Sequence, residues 1–235
     1  MNLITLSLFI FVFNACASTT VTRFSESKKL LRDKVYFDHH KTFYCDEDFN
    51  ANLDVTSSRH FKSRKNHRRS KRIEWEHVVP AENFGRSFVE WRSGHPKCMK
   101  KGKAFKGRKC AGKTSVSYRK MEADPYNLVP AIGEVNEARS NFRYSELPGV
   151  ANYFGTCEFK LQDRRVEPRA AVKGDIARIY AYMEKTYGIK VISDAQKKLF
   201  EAWNKLDPID SWECTRIKRI RTFHPESSGV WADCR

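Results

Sequence analysis

Two short polar clusters carry the residue types that hydrolytic chemistry needs. Glu74, Glu76 and His77 lie within four positions of one another, and Asn127 and Asn136 belong to a second cluster further along the chain. Carboxylate and amide oxygens are the ligands that a hard divalent cation prefers. A histidine beside them can act as a general base near neutral pH. These residues therefore predict a metal-assisted hydrolytic site.

The charge of the chain indicates what such a site would act on. The sequence carries 44 Lys and Arg against 28 Asp and Glu, which gives a formal net charge of +16. Long-range attraction and counterion release favour a polyanionic partner, with nucleic acid ahead of anionic membranes and acidic polysaccharides. A hydrolytic site on such a protein predicts cleavage of phosphodiester bonds.

Phosphodiester hydrolysis needs an activated water, charge relief on the phosphate and a stabilised leaving oxygen. A neutral His77 can activate the water, and one divalent cation can supply the other two effects. We expect Glu76 and Asn136 to hold that cation, and Mg²⁺ suits so few protein ligands because it dehydrates reluctantly. On a regular strand Glu76 and His77 would point to opposite faces, so we expect the strand to twist, bulge or end there.

The first 17 residues predict export. They are almost wholly apolar, too short to span a bilayer comfortably, and end in small residues. We interpret them as a secretory signal peptide, followed by a single domain over residues 18–235. A lipid anchor on Cys16 is the alternative, although Phe13-Asn14-Ala15 is a poor lipobox. The expected location is periplasmic or secreted, without stable membrane association.

Cysteine usage agrees with export. Six cysteines remain after removal of the leader, and an even number in an exported chain favours three disulfides, with fifteen possible pairings. We expect Cys98 to pair with Cys110 across a Gly- and Lys-rich loop. The other expected pairs are then Cys157–Cys214 and Cys45–Cys234. A zinc site is the alternative, but no paired CxxC spacing supports it.

Hydrophobic periodicity predicts the elements that position the two clusters. Alternating residues predict a strand over residues 73–79, and a second short strand is expected over 127–130. A helix over 132–144 would follow, with Asn136 and Ser140 on one face. The first cluster therefore lies on a strand, and the second spans a strand and a helix.

The segments around these elements are predicted from composition and spacing. We expect an amphipathic helix over residues 24–37 and a short strand over 42–45. The very basic residues 56–72 and the Gly-, Lys- and Ser-rich residues 93–120 are expected to be loops.

The C-terminal third is predicted to be helical. Apolar residues at helical spacing indicate a helix over 174–187, closed by Gly188. Ser193 begins a capping box for the next helix, which stops at Asp207, and Asp210 or Ser211 caps the last one. The side chains expected to be buried on the second of these helices are Leu199, Phe200, Trp203 and Leu206.

Several blocks of the sequence resemble one protein family. They are Arg72–Ala81, Met121–Asp124, Asn127–Asn136 and Arg139–Phe142, with shorter matches downstream. These blocks resemble the bacterial periplasmic or secreted endonuclease I family, non-specific nucleases with a ββα-metal (His-Me finger) site. The resemblance extends from residue 24 to residue 234. It implies an α+β fold, mixed and predominantly helical, in a single disulfide-stapled domain built around the ββα-metal finger.

The resemblance also implies a role for each matching residue. Glu76 and Asn136 resemble the metal ligands, and His77 resembles the base that activates water. The other catalytic positions are a phosphate-holding arginine and two supporting acids: Arg108, Glu74 and Glu122. The implied cofactor is Mg²⁺, with Ca²⁺ or Mn²⁺ as alternatives. The implied substrates are DNA and RNA, gripped through backbone phosphates with little sequence preference by a monomer.

One departure from the family concerns residues 46–70. Family members carry additional cysteines here, whereas this chain has only a basic stretch. The difference predicts one fewer disulfide, looser structure near the site and stronger non-specific binding to phosphates.

Two other functions are compatible with the charge. A non-catalytic extracellular or periplasmic DNA-binding protein would keep the basic surface but would not need Glu76, His77 and Asn136 together. A cationic membrane-active toxin would need an exposed amphipathic segment that the sequence lacks. The joint presence of the three residues therefore favours an enzyme.

Overall fold

The computed structural model describes residues 20–234, so the predicted signal peptide lies outside the described residues. Helices account for more of this region than strands do. The helices are α1 (Phe24–Leu30), α2 (Ala81–Gly85), α3 (Val89–Arg92), α4 (Arg108–Thr114), α5 (Val116–Glu122), α6 (Gly133–Arg139), α7 (Lys173–Tyr187), α8 (Asp194–Leu206) and α9 (Ser211–Arg221). The strands are β1 (Ile73–His77), β2 (Met99–Lys100), β3 (Lys103–Ala104), β4 (Leu128–Ile132), β5 (Arg143–Tyr144), β6 (Asn152–Phe154), β7 (Cys157–Gln162) and β8 (Arg165–Glu167).

Two strands and a helix position the residues of both polar clusters. β1 pairs antiparallel with β4, with Ile73 opposite Ile132 and His77 opposite Leu128. Every residue of β4 is buried, and α6 follows it directly. The two predicted strands are therefore confirmed, and their pairing brings α6 close to β1.

The predicted helix over residues 132–144 is too long. It ends at Arg139 because Ser140 adopts a φ of 52°, outside the right-handed helical region. The chain then enters a four-stranded sheet with the order β5-β8-β7-β6, which sequence reasoning did not predict. Its strands are short and partly exposed, so they carry little hydrophobic periodicity.

The three C-terminal helices agree closely with the predictions. Gly188 adopts the left-handed conformation that ends α7. The side chains of Ser193 and Asp210 cap α8 and α9, each accepting a hydrogen bond from the backbone N–H three residues further on. The predicted burial of Leu206 is wrong. As the last residue of α8, its side chain extends beyond the packed face and is 81% exposed.

Predictions for three of the surrounding segments are mixed. The first helix is confirmed as α1 plus one π-helical turn, Leu31–Val35. Residues 42–45 form a turn instead of a strand. The loop predicted over 93–120 is also wrong, because β2, β3, α4 and most of α5 lie within it. Buried Cys110, Ala111 and Tyr118 hold these short polar helices to the domain.

A continuous hydrophobic core joins the elements. Buried aromatic side chains from β1, the turn before β4, β7, α7, α8 and the C-terminal segment contribute to it: Trp75, Tyr126, Phe159, Tyr180, Trp203 and Trp231. Trp75 is thus a core residue. Among the helices within residues 20–234, none combines the length and apolarity that crossing a membrane requires.

The three disulfides are confirmed in number but not in pairing. Cys98 is bonded to Cys110 as predicted. The other bonds are Cys45–Cys157 and Cys214–Cys234, so the expected Cys157–Cys214 and Cys45–Cys234 bonds are wrong. Pairing follows tertiary neighbours. The turn at Cys45 packs on the start of β7, while α9 lies beside the C-terminal segment.

The disulfide loops differ in length, which predicts different contributions to stability. Cys45–Cys157 closes a separation of 112 residues and Cys214–Cys234 one of 20. Loop-closure entropy then makes the longer crosslink more stabilising by about 1.5 kcal/mol. We expect C45A/C157A to lower the free energy of unfolding, measured in urea, more than C214A/C234A does. Equal losses in the two double variants would contradict the expectation.

Candidate active site

A cleft of about 780 Å³ contains most of the predicted site. Five of the six predicted residues line it: Glu74, Glu76, His77, Arg108 and Asn136. The sixth, Glu122, contacts two of them. β1 ends at His77, as one of the expected departures from a regular strand requires. Glu76 and His77 both line the cleft, as do the other three residues of β1.

The imidazole of His77 is held by a backbone carbonyl. Its Nε2 lies 2.9 Å from the carbonyl oxygen of Glu122. A carbonyl oxygen can only accept, so Nε2 carries the proton and donates it. In the neutral ring, Nδ1 is then unprotonated and can accept a proton from a water in the cleft.

Two phenylalanines shield this histidine from bulk water. The ring centroids of Phe24 and Phe84 lie 5.0 and 6.3 Å from the imidazole centroid. Burial, helped by the positive charges of Arg108 and Arg139, lowers the pKa of His77 to about 3. The imidazole is therefore neutral at physiological pH, which is the form that a general base requires.

Glu76 lies beside a fully buried guanidinium. Its Oε1 is 3.1 Å from Nη1 of Arg139 and accepts a hydrogen bond from the Tyr44 hydroxyl at 3.2 Å. Arg139 also donates to the carbonyl oxygens of His77 and Val78, at the end of β1. One arginine therefore fixes both the Glu76 carboxylate and the backbone that carries His77.

Two oxygen atoms in the cleft are free to bind a cation. The Asn136 amide donates through Nδ2 to Oε2 of Glu74 at 3.2 Å, so its Oδ1 remains an available acceptor. Within residues 20–234, Oε2 of Glu76 receives no hydrogen bond. One carboxylate and one amide oxygen form a donor set that suits a hard cation keeping part of its water shell.

The protonation of Glu76 is compatible with that donor set. Desolvation raises the pKa of Glu76 to about 7, against the opposing effects of Arg139 and Tyr44. A nearby cation favours the ionised form of a carboxylate.

No group of three or more His, Cys, Asp or Glu placed to hold a metal occurs in the described part of the chain.

Glu74 supports Asn136 and is itself held by an arginine. Arg69 donates to both of its carboxylate oxygens, at 2.8 and 2.6 Å. Gly133, at the start of α6, packs directly against this pair. A Cβ at Gly133 would lie only 2.8 Å from Oε1 of Glu74 and from the carbonyl oxygen of Arg69. Glycine therefore permits the close approach that brings Asn136 to Glu74.

Arg108 and Glu122 form an ion pair at the cleft wall. Nε of Arg108 donates to Oε1 of Glu122 at 2.7 Å, and the guanidinium lies 5.6 Å from the centroid of Phe24. The Arg108 side chain remains 47% exposed. Glu122 orients this arginine through its carboxylate and His77 through its carbonyl.

The basic segment beside the cleft is held by two buried carboxylates. Glu47 accepts hydrogen bonds from the Ser57 hydroxyl and the backbone N–H groups of residues 59–61. Glu134 accepts from the Ser63 hydroxyl and the backbone N–H groups of residues 64 and 65. The looser structure expected here is therefore not what the fold shows, since carboxylates tie down the segment that lacks cysteines.

The charge of the cleft is predominantly positive. Its acidic side chains are Glu74, Glu76 and Glu82. Twice as many basic side chains line it: Lys28, Lys29, Arg32, Arg69, Arg72 and Arg108. Three of these basic residues lie on α1 and the π-helical turn, which sequence reasoning had not placed near the site. The combined field favours an anionic ligand.

Sequence reasoning missed three residues that shape the site: Tyr44, Phe24 and Arg139. For Arg139 a signal existed, because it lies four residues after buried Val135 and hence on the buried face of α6. A charged residue at such a position requires buried acceptors. Tyr44 and Phe24 carried no comparable signal, since an aromatic residue on an apolar face is ordinarily part of the core.

Comparison with known proteins identifies similar sequences. Residues 20–227 match the model of the family described as Endonuclease I. The chain is 40% identical to a periplasmic deoxyribonuclease of Aeromonas hydrophila, covering 80% of this chain and 76% of that relative. It is 37% identical to an extracellular deoxyribonuclease of the same species, covering 93% and 91%. It is also 37% identical to an endonuclease-1 of Buchnera aphidicola subsp. Acyrthosiphon pisum, covering 86% and 77%.

Removal of Arg139 should destabilise the fold strongly. R139M leaves Glu76 buried without its ion-pair partner, so we expect the free energy of unfolding to fall by about 3–5 kcal/mol. The pKa of Glu76 is already raised, and its carboxylate can protonate when Arg139 is absent. The double variant R139M/E76Q should therefore recover part of that loss when unfolding is measured well above pH 7, where the carboxylate is ionised. Urea unfolding of wild type, R139M, E76Q and R139M/E76Q measures both effects. A double variant as unstable as R139M would show that the ion pair is not the cause.

The Glu47 carboxylate should make stability depend on pH. Desolvation raises its pKa, but the hydrogen bonds from Ser57 and the backbone of residues 59–61 outweigh this and lower the pKa below its usual value. Because the pKa of Glu47 is lower in the folded state, its ionised form stabilises the fold at any pH above the unfolded-state pKa of about 4.3. That stabilisation is lost as the pH falls through the folded-state pKa.

The test compares E47Q with wild type by thermal and urea unfolding. At pH 7 we expect E47Q to be less stable by about 2 kcal/mol, because charge-assisted hydrogen bonds are lost. The difference should shrink as pH falls below about 4. E201Q, which changes an exposed carboxylate, is the matched control and should follow wild type. A difference that stays constant down to pH 3 would rule out the carboxylate as its source.

Proposed function

Because the chain belongs to the endonuclease I family, we propose that its cleft hydrolyses nucleic-acid phosphodiesters with one divalent cation and His77 as general base. Family membership makes the chain an exported endonuclease that acts on DNA. The mechanism and the wider substrate range are the proposal. The observation that carries it is that His77, Glu76 and Asn136 line one cleft whose charge is predominantly positive.

His77 has the geometry and protonation state of a base. Its Nε2–H donates to the Glu122 carbonyl oxygen, which fixes the tautomer. Nδ1 is therefore the unprotonated nitrogen that can accept a proton. In the proposed reaction Nδ1 takes a proton from a water that attacks the phosphorus. Phe24 and Phe84 keep the ring in place and limit competing water.

Glu76 and Asn136 are the proposed cation ligands, through Oε2 and Oδ1. Bound there, the cation would offset negative charge on the phosphate and on the leaving oxygen. We propose Mg²⁺ as the working ion, with Ca²⁺ or Mn²⁺ as alternatives, since all three accept oxygen ligands. Strands β1 and β4 with helix α6 would then constitute the ββα-metal finger.

Arg108 is proposed to hold the phosphate that is cleaved. Its guanidinium lies at the cleft wall, oriented by Glu122 and still exposed enough to meet a substrate. Glu74 supports the site indirectly, since it holds the Asn136 amide in the orientation that frees Oδ1.

The basic side chains of the cleft would contact the phosphates of a nucleic-acid backbone, which DNA and RNA share. We therefore propose that the enzyme cleaves both, with little sequence preference, because phosphate contacts carry no base information. We also propose that residues 1–17 are a signal peptide, that 18–235 form one domain, and that the enzyme acts as a monomer without stable membrane association.

The proposal predicts that His77 is indispensable for cleavage but not for folding. We expect purified, oxidised protein to nick supercoiled plasmid DNA with Mg²⁺ and to stop when EDTA removes the ion. H77A should lower the rate by about 10²–10⁴-fold, the usual contribution of a general base. H39A is the matched control, because His39 stacks on Trp212 outside the cleft.

Two outcomes would contradict the mechanism. Cleavage by H77A at the rate of H39A would remove His77 as the base. Binding of DNA by wild type without cleavage in Mg²⁺, Ca²⁺ or Mn²⁺ would favour the alternative function, a non-catalytic DNA-binding protein.

A further inference from the structure

A second groove, of about 730 Å³, lies directly beside the catalytic cleft. The two cavities share the side chains of Glu82 and Asn141, which are hydrogen-bonded to each other. Four arginines line the second groove: Arg86, Arg143, Arg164 and Arg165. A chain of phosphates lying in the cleft could therefore continue into a second positively charged channel.

Two of these arginines have no carboxylate partner. Arg86 pairs with Glu82 and Arg165 with Asp163. Neither Arg143 nor Arg164 has a carboxylate within ion-pair distance among residues 20–234. The guanidinium of Arg164 lies instead over the ring of Phe142, 5.3 Å from its centroid. Their charges are available to an external anion.

The backbone that presents Arg164 is strained. Asp163 and Arg164 form the two-residue turn between β7 and β8, with φ values of 48° and 59°. Such turns favour Asn-Gly or Asp-Gly, because L-residues with larger side chains rarely adopt positive φ. An arginine in this conformation, where glycine would fit better, points to a role for its side chain.

The turn is also fixed relative to the catalytic residues. β5 pairs with β8, placing Arg143 opposite Arg165, and β5 follows α6 after only three residues. α6 carries Asn136. Strand pairing and a short connection therefore join the groove to the helix that carries a proposed cation ligand.

We propose that Arg143 and Arg164 form a phosphate-binding subsite for the nucleic-acid strand where it leaves the catalytic cleft. This inference rests on the proposed function and extends it to substrates longer than the cleft. The guanidinium groups contact backbone phosphates away from the bond that is cut. The subsite raises affinity for long substrates and does not take part in the chemical step.

The test measures steady-state cleavage of duplex DNAs of increasing length. Loss of two phosphate contacts should raise KM for long duplexes about tenfold in R143A/R164A, with kcat unchanged. The shortest duplex that wild type cleaves should be cut equally well by both proteins.

R164G separates charge from folding, because glycine relieves the strained turn while removing the cation. Its thermal stability should equal or exceed that of wild type while KM for long duplexes still rises.

Binding in the inactive H77A background provides a second readout. The slope of log affinity against log salt, measured by fluorescence anisotropy with a long duplex, should fall by about 2 when both arginines are replaced. K198A/K205A removes the same charge from the exposed face of α8 and should leave slope and KM unchanged.

The outcomes separate this inference from the proposed function. If wild type cleaves DNA but R143A/R164A matches K198A/K205A at every length, the subsite is wrong and the proposed function stands. If KM rises equally for the shortest and longest duplexes, the arginines act within the cleft and the inference is also wrong. Failure of wild type to cleave any nucleic acid with any of the three cations overturns the proposed function itself.

Discussion

Arg139 is fully buried where α6 meets the C-terminal end of β1. A guanidinium keeps its charge in any protein environment, so burial obliges the surrounding groups to provide acceptors. Here the acceptors are the Glu76 carboxylate and the carbonyl oxygens of His77 and Val78, with the ring of Tyr144 against its face. Through its Nη1 and Nη2 groups, Arg139 thus ties the proposed base and the proposed cation ligand to one point of the core, while its Nε has no hydrogen-bond partner among residues 20–234.

This arrangement also explains the contrast between the two titratable residues of β1. Both are buried, and desolvation disfavours the charged form of each. For His77 that produces a neutral base, whereas for Glu76 it raises the pKa to about 7 despite Arg139. A nearby cation would therefore favour the ionised form of Glu76, whereas the imidazole of His77 is neutral without one. The same burial prepares two neighbouring residues for different roles.

Two buried carboxylates hold the basic segment that precedes β1 through hydrogen bonds. Glu47 and Glu134 each accept several hydrogen bonds from its hydroxyl and backbone N–H groups. Backbone groups can be satisfied without neutralising basic side chains, so the segment is ordered while many of its Lys and Arg residues remain exposed. The basic composition of this segment is therefore compatible with a defined backbone path beside the cleft.

The candidate site residues, the two strands that carry the clusters and the C-terminal helices could be predicted from residue types and spacing alone. The types and spacing of Glu74, Glu76, His77 and Asn136 do not depend on distant contacts, and the caps at Ser193 and Asp210 are satisfied within one helical turn. The disulfide pairing, the helices in residues 93–120, the sheet from β5 to β8 and the role of Arg139 were decided by tertiary structure. Each depends on which distant segments pack together, and a local pattern contains no information about a partner that lies far along the chain.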